Sequence, residues 1–221
     1  MTLALVSDGC HDGPTNMARD RALIESLAEH EAAGRVYGWS GPWVSLGMFQ
    51  RDEREILAGC SVPTVRRPTG GKAVLHGHDV TLGLAARLDA LLPDVPAGIR
   101  DRAVKRTYRA LTAPLVAALR ECGLDAALAE ETPFVRGGER TGDCFAHVSP
   151  NDIVDSRTGA KVCGCALSLA DGSVLVQASI PCGEPLVDPA TVFPRPHRGA
   201  TQTWDRDRFA ATLLDAWRVL R

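Results

Sequence analysis

The chain has 221 residues, of which 45% are hydrophobic and 24% charged, and its formal net charge is −2. A chain of this size can bury a full apolar core, so we predict one domain over residues 1–221. The near-neutral charge excludes a broad electrostatic attraction to nucleic acid or to a membrane surface, and no apolar run approaches the roughly 18 residues of a membrane span.

The cysteines and the start of the chain indicate a compartment. Seven cysteines at irregular spacing argue against a disulfide framework and fit a reducing environment. The opening MTLALVSDGC has no basic region and too short an apolar stretch for a secretion signal. We therefore expect a cytoplasmic protein.

The first half of the chain predicts one helix and three strands. An amphipathic helix is expected from about Asn16, with Gly34 as its end. Two short strands, RVYGW and WVSLGMF, follow on either side of a turn signal at Ser40-Gly41-Pro42. A third strand, VPTVRRP, leads into a stretch with two adjacent glycines, TGGKAVLHGHD.

The second half predicts two helices around a β-hairpin. A helix over roughly Arg102 to Cys122 carries apolar residues every three or four positions, and Pro114 within it predicts a kink or a break. AKVCGCALSL and SVLVQASI form a hairpin that turns at Asp171-Gly172. The last helix runs from about Trp204, with Leu220 at the end of its buried stripe. The pattern predicts an α/β (α+β) fold, a mixed β-sheet flanked by helices.

Residues 65–79, VRRPTGGKAVLHGHD, suggest a loop that holds a phosphate or a carboxylate. A Walker phosphate loop is excluded, because Ala73 follows Lys72 where that motif needs Ser or Thr, and its earlier glycine is missing. What remains is a strand that ends in two arginines, followed by glycines that let the backbone approach a ligand closely. The local features equally fit a glycine turn beside a solvated basic pair.

Four segments resemble, in order, motifs of the lipoate–protein ligase and octanoyltransferase family, within the biotin/lipoate ligase superfamily. RRPTGGKAVLHGHDVTLGL is similar to its Arg-Arg-x-Thr/Ser-Gly-Gly-Gly/Arg-Ala-Val-x-His signature, and GPTNMARDRALIE to its opening helix. YGWSGPWVSLGMFQ and NDIVDSRTGAKVCGCAL resemble its Tyr-x-Trp and Gly-x-Lys-x-x-Gly-Ser-Ala segments. The matches span about residues 12–180, and they imply a biotin/lipoate ligase-like catalytic domain.

The resemblance implies that the glycine loop lies against an octanoyl or lipoyl group. Lys72 stands where ligases have a third glycine, which is more similar to the cysteine-dependent octanoyltransferases of the family. The candidate contacts carried over on this motif are Arg67, Gly70, Gly71, Lys72, Ala73 and His76.

The catalytic candidates are Cys144 and Lys161, which stand 17 residues apart. In the related octanoyltransferases a Cys-Phe pair at nearly this distance before the lysine forms the acyl thioester. Moving an acyl group from a thioester to a lysine amine without ATP requires a covalent carrier whose bond stays activated, and a cysteine supplies it. An ammonium beside the sulfur favours the thiolate and can stabilise the oxyanion.

The strand that begins at Lys161 supplies further candidates. Its alternation predicts Cys163 and Cys165 on the face of the lysine. The backbone around Gly164 can then provide N–H donors to the substrate. The contacts predicted on this strand are Gly164, Cys165 and Ala166.

Other interpretations stay open. Cys182, in SIPCGEP, resembles the nucleophile of a distant octanoyltransferase branch and is the second candidate for that role. Gln177-Ala178-Ser179 replaces the His-Gly step that is usual after the hairpin, which affects the second half of the site. A structural zinc site has only a weak signal, since no Cys-x-x-Cys pair occurs among its candidates, Cys144, Cys163, Cys165 and Cys182.

The resemblance thus implies an octanoyltransferase without cofactor or metal. It takes an octanoyl group from acyl carrier protein, holds it as a Cys144 thioester, and passes it to the lysine of a lipoyl-accepting protein such as the glycine cleavage H protein or a lipoyl domain. The alternatives are the catalytic subunit of an ATP-dependent lipoate–protein ligase, which needs a separate accessory chain, and a non-catalytic acyl-binding relative.

Overall fold

The computed structural model describes residues 2–135, 141–197 and 202–219. The strands in these ranges are β1 (Leu3–His11), β2 (Ala32–Trp39), β3 (Trp43–Leu46), β4 (Thr64–Arg66), β5 (Val74–His76), β6 (Asp79–Arg87), β7 (Ala126–Leu128), β8 (Ile153–Asp155), β9 (Lys161–Ala170) and β10 (Ser173–Pro181). The α-helices are α1 (Gly13–Glu25), α2 (Asp52–Glu55), α3 (Leu88–Leu91), α4 (Ala97–Arg100), α5 (Val104–Glu121) and α6 (Phe209–Val219).

The strands form two sheets. The larger has seven strands in the order β1-β2-β6-β10-β9-β8-β7, and the smaller has three in the order β4-β3-β5. Within the larger sheet β1 and β2 are parallel, whereas the other neighbours are antiparallel. The predicted fold class, a mixed sheet flanked by helices, is confirmed.

Side chains alternate between the two faces of the large sheet, and each face has its own helices. Val174 and Val176 of β10 join the main core beneath α5 and α6, where Leu115 and Phe209 are almost fully buried. Leu175, between them, faces the opposite side, toward α1. Burying each such side chain contributes about 1.5–3 kcal/mol, so this two-sided burial specifies the register of the sheet.

Three predicted elements differ from the structure. The first helix ends at Glu25 rather than Gly34, because residues 32–34 pair with β1 and β6 in the sheet. The predicted break at Pro114 is wrong: α5 continues through it, since apolar residues on both sides of the proline, such as Leu111 and Leu119, are buried in the main core. The last helix begins at Phe209, and Leu220 lies outside the described residues.

The hairpin of β9 and β10 forms as predicted. Asp171 and Gly172 both have positive φ, 50° and 73°, which is the backbone that a tight two-residue turn needs. Within the described part of the chain, none of the helices combines the length and apolarity required to cross a membrane.

A buried charge cluster ties α1 to the sheet. Arg35 on β2 donates to the carboxylates of Asp8 and Asp20, both at 2.6 Å, and to the side-chain oxygen of Asn16. Burial raises the pKa of Asp20 even though Arg35 opposes the shift. The hydroxyl of Tyr37 also donates to Asp20, at 2.7 Å. The cluster holds α1 at the edge of the site described below.

We expect Arg35→Met to lower the free energy of unfolding by about 3–5 kcal/mol, because it leaves a buried carboxylate without its cation. Arg19→Met is the matched control. Arg19 pairs with the same Asp8, but its side chain is 48% exposed, so its loss should cost less than about 1 kcal/mol. Urea denaturation measures both values, and equal effects would contradict the assigned role of the buried guanidinium.

Candidate active site

Cys144 and Lys161 lie in direct contact. The ammonium of Lys161 stands 3.2 Å from the sulfur of Cys144, and it also donates to the backbone carbonyl of Cys144 at 2.9 Å. The lysine side chain is 3% exposed, whereas Cys144 is half-buried. A charged amine therefore sits beside a thiol that substrates can reach.

Asp152 holds the ammonium from the other side. Its carboxylate accepts from the Lys161 ammonium at 2.9 Å and from the backbone and hydroxyl of Ser149 at 2.7 and 2.9 Å. Burial alone would lower the pKa of Lys161, but the charges of Cys144 and Asp152 raise it above its ordinary value. Lys161 is therefore a stable cation at neutral pH.

Sequence reasoning missed Asp152. Asp152 is an acidic residue within NDIVDSRTGAKVCGCAL, a segment that resembles a motif of the family. The spacing of nine residues to Lys161 had no evident meaning without the pairing of β8 with β9.

A β-bulge turns Lys161 toward Cys144. Ile153 pairs with Cys163 but Val154 pairs with Lys161, so β9 carries one extra residue, Val162. The predicted alternation, which placed Cys163 and Cys165 on the same face as Lys161, is therefore wrong at the start of β9. Lys161 lies on the face of Gly164, where an added Cβ would stand 3.3 Å from its side chain.

The thiols of Cys163 and Cys165 on β9 lie close to each other, and that of Cys163 faces the main core. Cys163 is fully buried in the main core, and its sulfur lies 3.6 Å from that of Cys165. Burial raises the pKa of Cys163, which suits a packed thiol rather than a nucleophile.

Backbone hydrogen bonds attach the segment of Cys144 to the glycine loop. Ala73 and Asp143 form a short parallel bridge, in which the amide of Cys144 donates to the carbonyl of Ala73 at 2.8 Å. The Asp143 carboxylate accepts from the amides of Phe145 and His197. Ala73, a predicted substrate contact, thus meets the segment of Cys144 through its backbone.

Arg67 organises the glycine loop from inside. Its guanidinium donates to the carbonyls of Ser45, Gly70 and Lys72, at 2.9, 2.7 and 2.6 Å. Burial lowers the pKa of Arg67 to about 10, although the charge of Cys144 opposes the shift. Gly71 has φ +88°, a left-handed conformation that favours glycine.

A cavity, here the Cys144 cavity, opens between the two sheets and α1. It encloses about 420 Å³ of empty space, part of it open to solvent. Most of the predicted contacts line it: Arg67, Gly71, His76, Gly164, Cys165 and Ala166. Gly70, Lys72 and Ala73 are not among its lining residues, and Lys72 instead faces a neighbouring groove beside Gly142.

His76 forms the polar wall of the Cys144 cavity. Its ring bonds Ser45 at 2.8 Å and Asp79 at 2.7 Å, and it stacks on Trp39 with 3.9 Å between the ring centres. Burial alone would raise the pKa of Asp79, but His76 lowers it to about 2. The imidazole is therefore locked in place.

Gln177 fills the position where the family pattern has a histidine. Its amide oxygen accepts from Thr69 of the glycine loop at 2.7 Å, and its amide nitrogen donates to Asp20 of α1 at 2.5 Å. The substitution thus bridges the loop and the helix.

The structure separates Cys182 from the contact between Cys144 and Lys161. The Cys182 thiol donates to the carbonyl of His78 at 3.3 Å and lies beside Arg206, outside the residues that line the Cys144 cavity. In the described ranges, no three His, Cys, Asp or Glu side chains gather in a way that could hold a metal ion. The four cysteines of the alternative zinc site are accordingly not assembled as ligands.

Residues 12–203 match the family model described as the lipoyl protein ligase A/B catalytic domain. The chain is 36% identical over 185 residues to the octanoyltransferase LipM of Moorella thermoacetica, across 81% of this chain and 64% of that protein. It therefore spans a little under two thirds of the length of this curated relative.

Solved structures with the same fold are lipoate ligases. Lipoate-protein ligase A bound with ATP is similar with a TM-score of 0.71 and 22% identity, covering 100% of this chain and 85% of that one. A bipartite lipoate protein ligase from Thermoplasma acidophilum, described with its E2 lipoyl domain, has a TM-score of 0.70 and 20% identity, covering 100% and 84%. At this identity the likeness shows the fold.

We expect Gly164→Ala to displace the sulfur of Cys144 by a few tenths of an ångström, because the added Cβ would stand 3.0 Å from it. Alkylation of Cys144 by iodoacetamide should slow by about threefold to tenfold, because the displaced sulfur loses its placement beside the Lys161 ammonium. Mass spectrometry of the Cys144 peptide follows the reaction. Gly98→Ala, whose Cβ meets nothing within 4 Å, is the control. An unchanged rate in Gly164→Ala would refute the importance of the contact.

Proposed function

The chain belongs to the lipoyl protein ligase A/B catalytic domain family, and from that premise we propose that it is an octanoyltransferase. It moves an octanoyl group from acyl carrier protein to the lysine of a lipoyl-accepting protein. The observation that carries the proposal is the 3.2 Å contact between Cys144 and Lys161 at the edge of a cavity that is partly open to solvent. The similarity to octanoyltransferase LipM supports it.

In the first half of the proposed reaction, the Cys144 thiolate attacks the carbonyl carbon of the octanoyl thioester. The new carbon–sulfur bond forms, the bond to the carrier sulfur breaks, and the carrier thiol leaves with the proton that Cys144 gave up. In the second half, the acceptor amine attacks the Cys144 thioester, and its proton ends on the released sulfur of Cys144. The acyl group stays activated throughout, so no ATP is needed.

Lys161 acts in both halves as a fixed cation. Because its pKa is raised, it remains an ammonium and stabilises the negative charge that develops on the carbonyl oxygen. Asp152 acts through Lys161 as a positioning residue, since it anchors the ammonium at 2.9 Å.

The Cys144 cavity holds the octanoyl chain in this proposal. Gly71 and Gly164 let the backbone approach the acyl group, and His76, Cys165 and Ala166 line its path. The remaining predicted contacts support the loop: Arg67 through its guanidinium, and Gly70, Lys72 and Ala73 through backbone carbonyls or amides.

The proposed acceptor is the glycine cleavage H protein or a lipoyl domain, and the related bipartite ligase was described with such a domain. The proposed cycle uses no cofactor, metal, nucleic acid or membrane. All seven cysteines are free, which supports a cytoplasmic location.

A second candidate function is the catalytic subunit of a two-chain, ATP-dependent lipoate ligase. The fold shared with a bipartite ligase favours it. The two functions differ in one requirement, because the ligase must activate a free acid with ATP and the transferase starts from a thioester.

Incubation with octanoyl acyl carrier protein in the absence of ATP should acylate Cys144. Mass spectrometry would detect the octanoyl group as an addition of about 126 Da, as covalent catalysis requires. Cys144→Ala should reduce transfer to an H protein by roughly 10³-fold or more, because it removes the nucleophile. Cys182→Ala is the matched control and should retain activity. Acylation of Cys182 would move the nucleophile, and activity from free octanoate with ATP alone would favour the ligase.

Asp152→Asn should change the pH dependence of the transfer. Burial lowers the pKa of Lys161, and without the carboxylate only Cys144 is left to oppose it, so the pKa falls and the ammonium is lost at lower pH than in the wild type. We expect kcat/KM at pH 9 to fall by roughly 10- to 100-fold, with a smaller loss at pH 6.5.

Asp125→Asn is the control for this change. Asp125 pairs with Arg157 at the surface, where the loss of an ion pair has little effect. If Asp152→Asn lowered kcat/KM equally at all pH values, its role would be structural only.

A further inference from the structure

We propose that a second cavity, on the far side of Lys161, binds the pantetheine arm of the acyl donor. The inference rests on the proposed function, and it names the site for the leaving half of that substrate. We call it the Lys161 cavity and define it by Lys161, Phe145, His78, Pro189, Phe193 and Gln202, which all line it.

The two cavities lie beside the same short segment. Cys144 lines one of them, whereas its neighbours Asp143 and Phe145 line the other together with Lys161. The carbonyl carbon of the donor carries the acyl chain on one side and the carrier sulfur on the other. When the acyl chain enters the Cys144 cavity, the arm therefore has to leave the reacting carbon in another direction, and the Lys161 cavity provides it.

The walls of the Lys161 cavity fit a long neutral chain. Much of its wall is apolar, from Leu75, Phe193 and three prolines, Pro181, Pro185 and Pro189. Prolines restrict the backbone, so this wall is preformed, and its surface suits the methylene and dimethyl groups of pantetheine.

A buried polar atom in the same cavity fits an amide. The Nδ1 atom of His78 is buried and has no hydrogen-bond partner among the described residues. Because a buried polar atom without a partner is costly, a rotation of the His78 ring that turns Nδ1 toward a ligand amide would be favourable. Burial also lowers the pKa of His78, which keeps the ring neutral at pH 7 and suited to an amide rather than to a phosphate.

The Asp143 carboxylate strengthens this choice of ligand. Asp143 lines the Lys161 cavity, but its carboxylate already accepts hydrogen bonds from the amides of Phe145 and His197. A negative charge at this position disfavours an anion. The neutral part of the arm thus lies inside, and the phosphate that joins it to the carrier remains outside.

Two thioesters of different length test the proposal. Octanoyl-pantetheine carries the arm, whereas octanoyl-N-acetylcysteamine keeps the acyl chain and the reacting bond but lacks most of the arm. We expect the wild type to acylate Cys144 from octanoyl-pantetheine with a kcat/KM at least about tenfold higher, as an occupied subsite requires.

Pro189→Trp fills the Lys161 cavity and should abolish this preference while the rate with the short thioester stays the same. Ala190→Trp is the matched control, because Ala190 is exposed in the same helical turn and does not line the cavity. It should keep the preference. His78→Phe, which removes the polar atom but keeps the ring, should reduce the preference by about threefold to tenfold.

The possible results separate this inference from the function on which it rests. Equal rates from both thioesters in the wild type would overturn the cavity assignment but leave the transferase in place. An equal loss with both thioesters in Pro189→Trp and in His78→Phe would do the same. No acylation of Cys144 from either thioester would overturn the proposed function, and the cavity assignment with it.

Discussion

The site depends on a buried ammonium that the protein holds by its own groups. Taking a charged amine out of water costs several kcal/mol unless partners replace the water. Two backbone carbonyls, those of Cys144 and His147, and the carboxylate of Asp152 supply those partners for Lys161. The sulfur of Cys144 lies on the remaining side of the ammonium, so the thiol has a fixed cation next to it. The bulge at Val162 is the backbone device that orients the lysine into this cage.

Local sequence patterns predicted the elements where one physical signal dominates. The Asp171-Gly172 turn determines the central hairpin, because few residues tolerate the two positive φ angles that it needs. The end of α1 could not be predicted in this way. Residues 32–34 suit a helix locally, and only the pairing with strands from elsewhere in the chain makes them part of a sheet.

The candidate site was predicted in part for a similar reason. The resemblance to a family brought Cys144 and Lys161 together, and the structure places them in contact. Strand alternation failed at Lys161, since a bulge leaves no mark in a short apolar run such as KVCGCAL. Motif matching also cannot distinguish a residue that touches a ligand from one that builds the loop around it. Arg67 illustrates this, because its guanidinium is occupied by the carbonyls of its own loop.

The bridge between Ala73 and Asp143 joins the glycine loop to the segment that carries Cys144, the proposed nucleophile. A change in the loop backbone that lengthened the Cys144 cavity would therefore displace the sulfur as well. The opposite wall, which includes Met17 on α1 and Gln177 on β10, is joined to the loop by a side chain instead, since Gln177 accepts a hydrogen bond from Thr69. A substitution that changes the length of the cavity but leaves the sulfur in place is therefore expected at a side chain of the opposite wall, such as Met17, rather than in the backbone of the glycine loop.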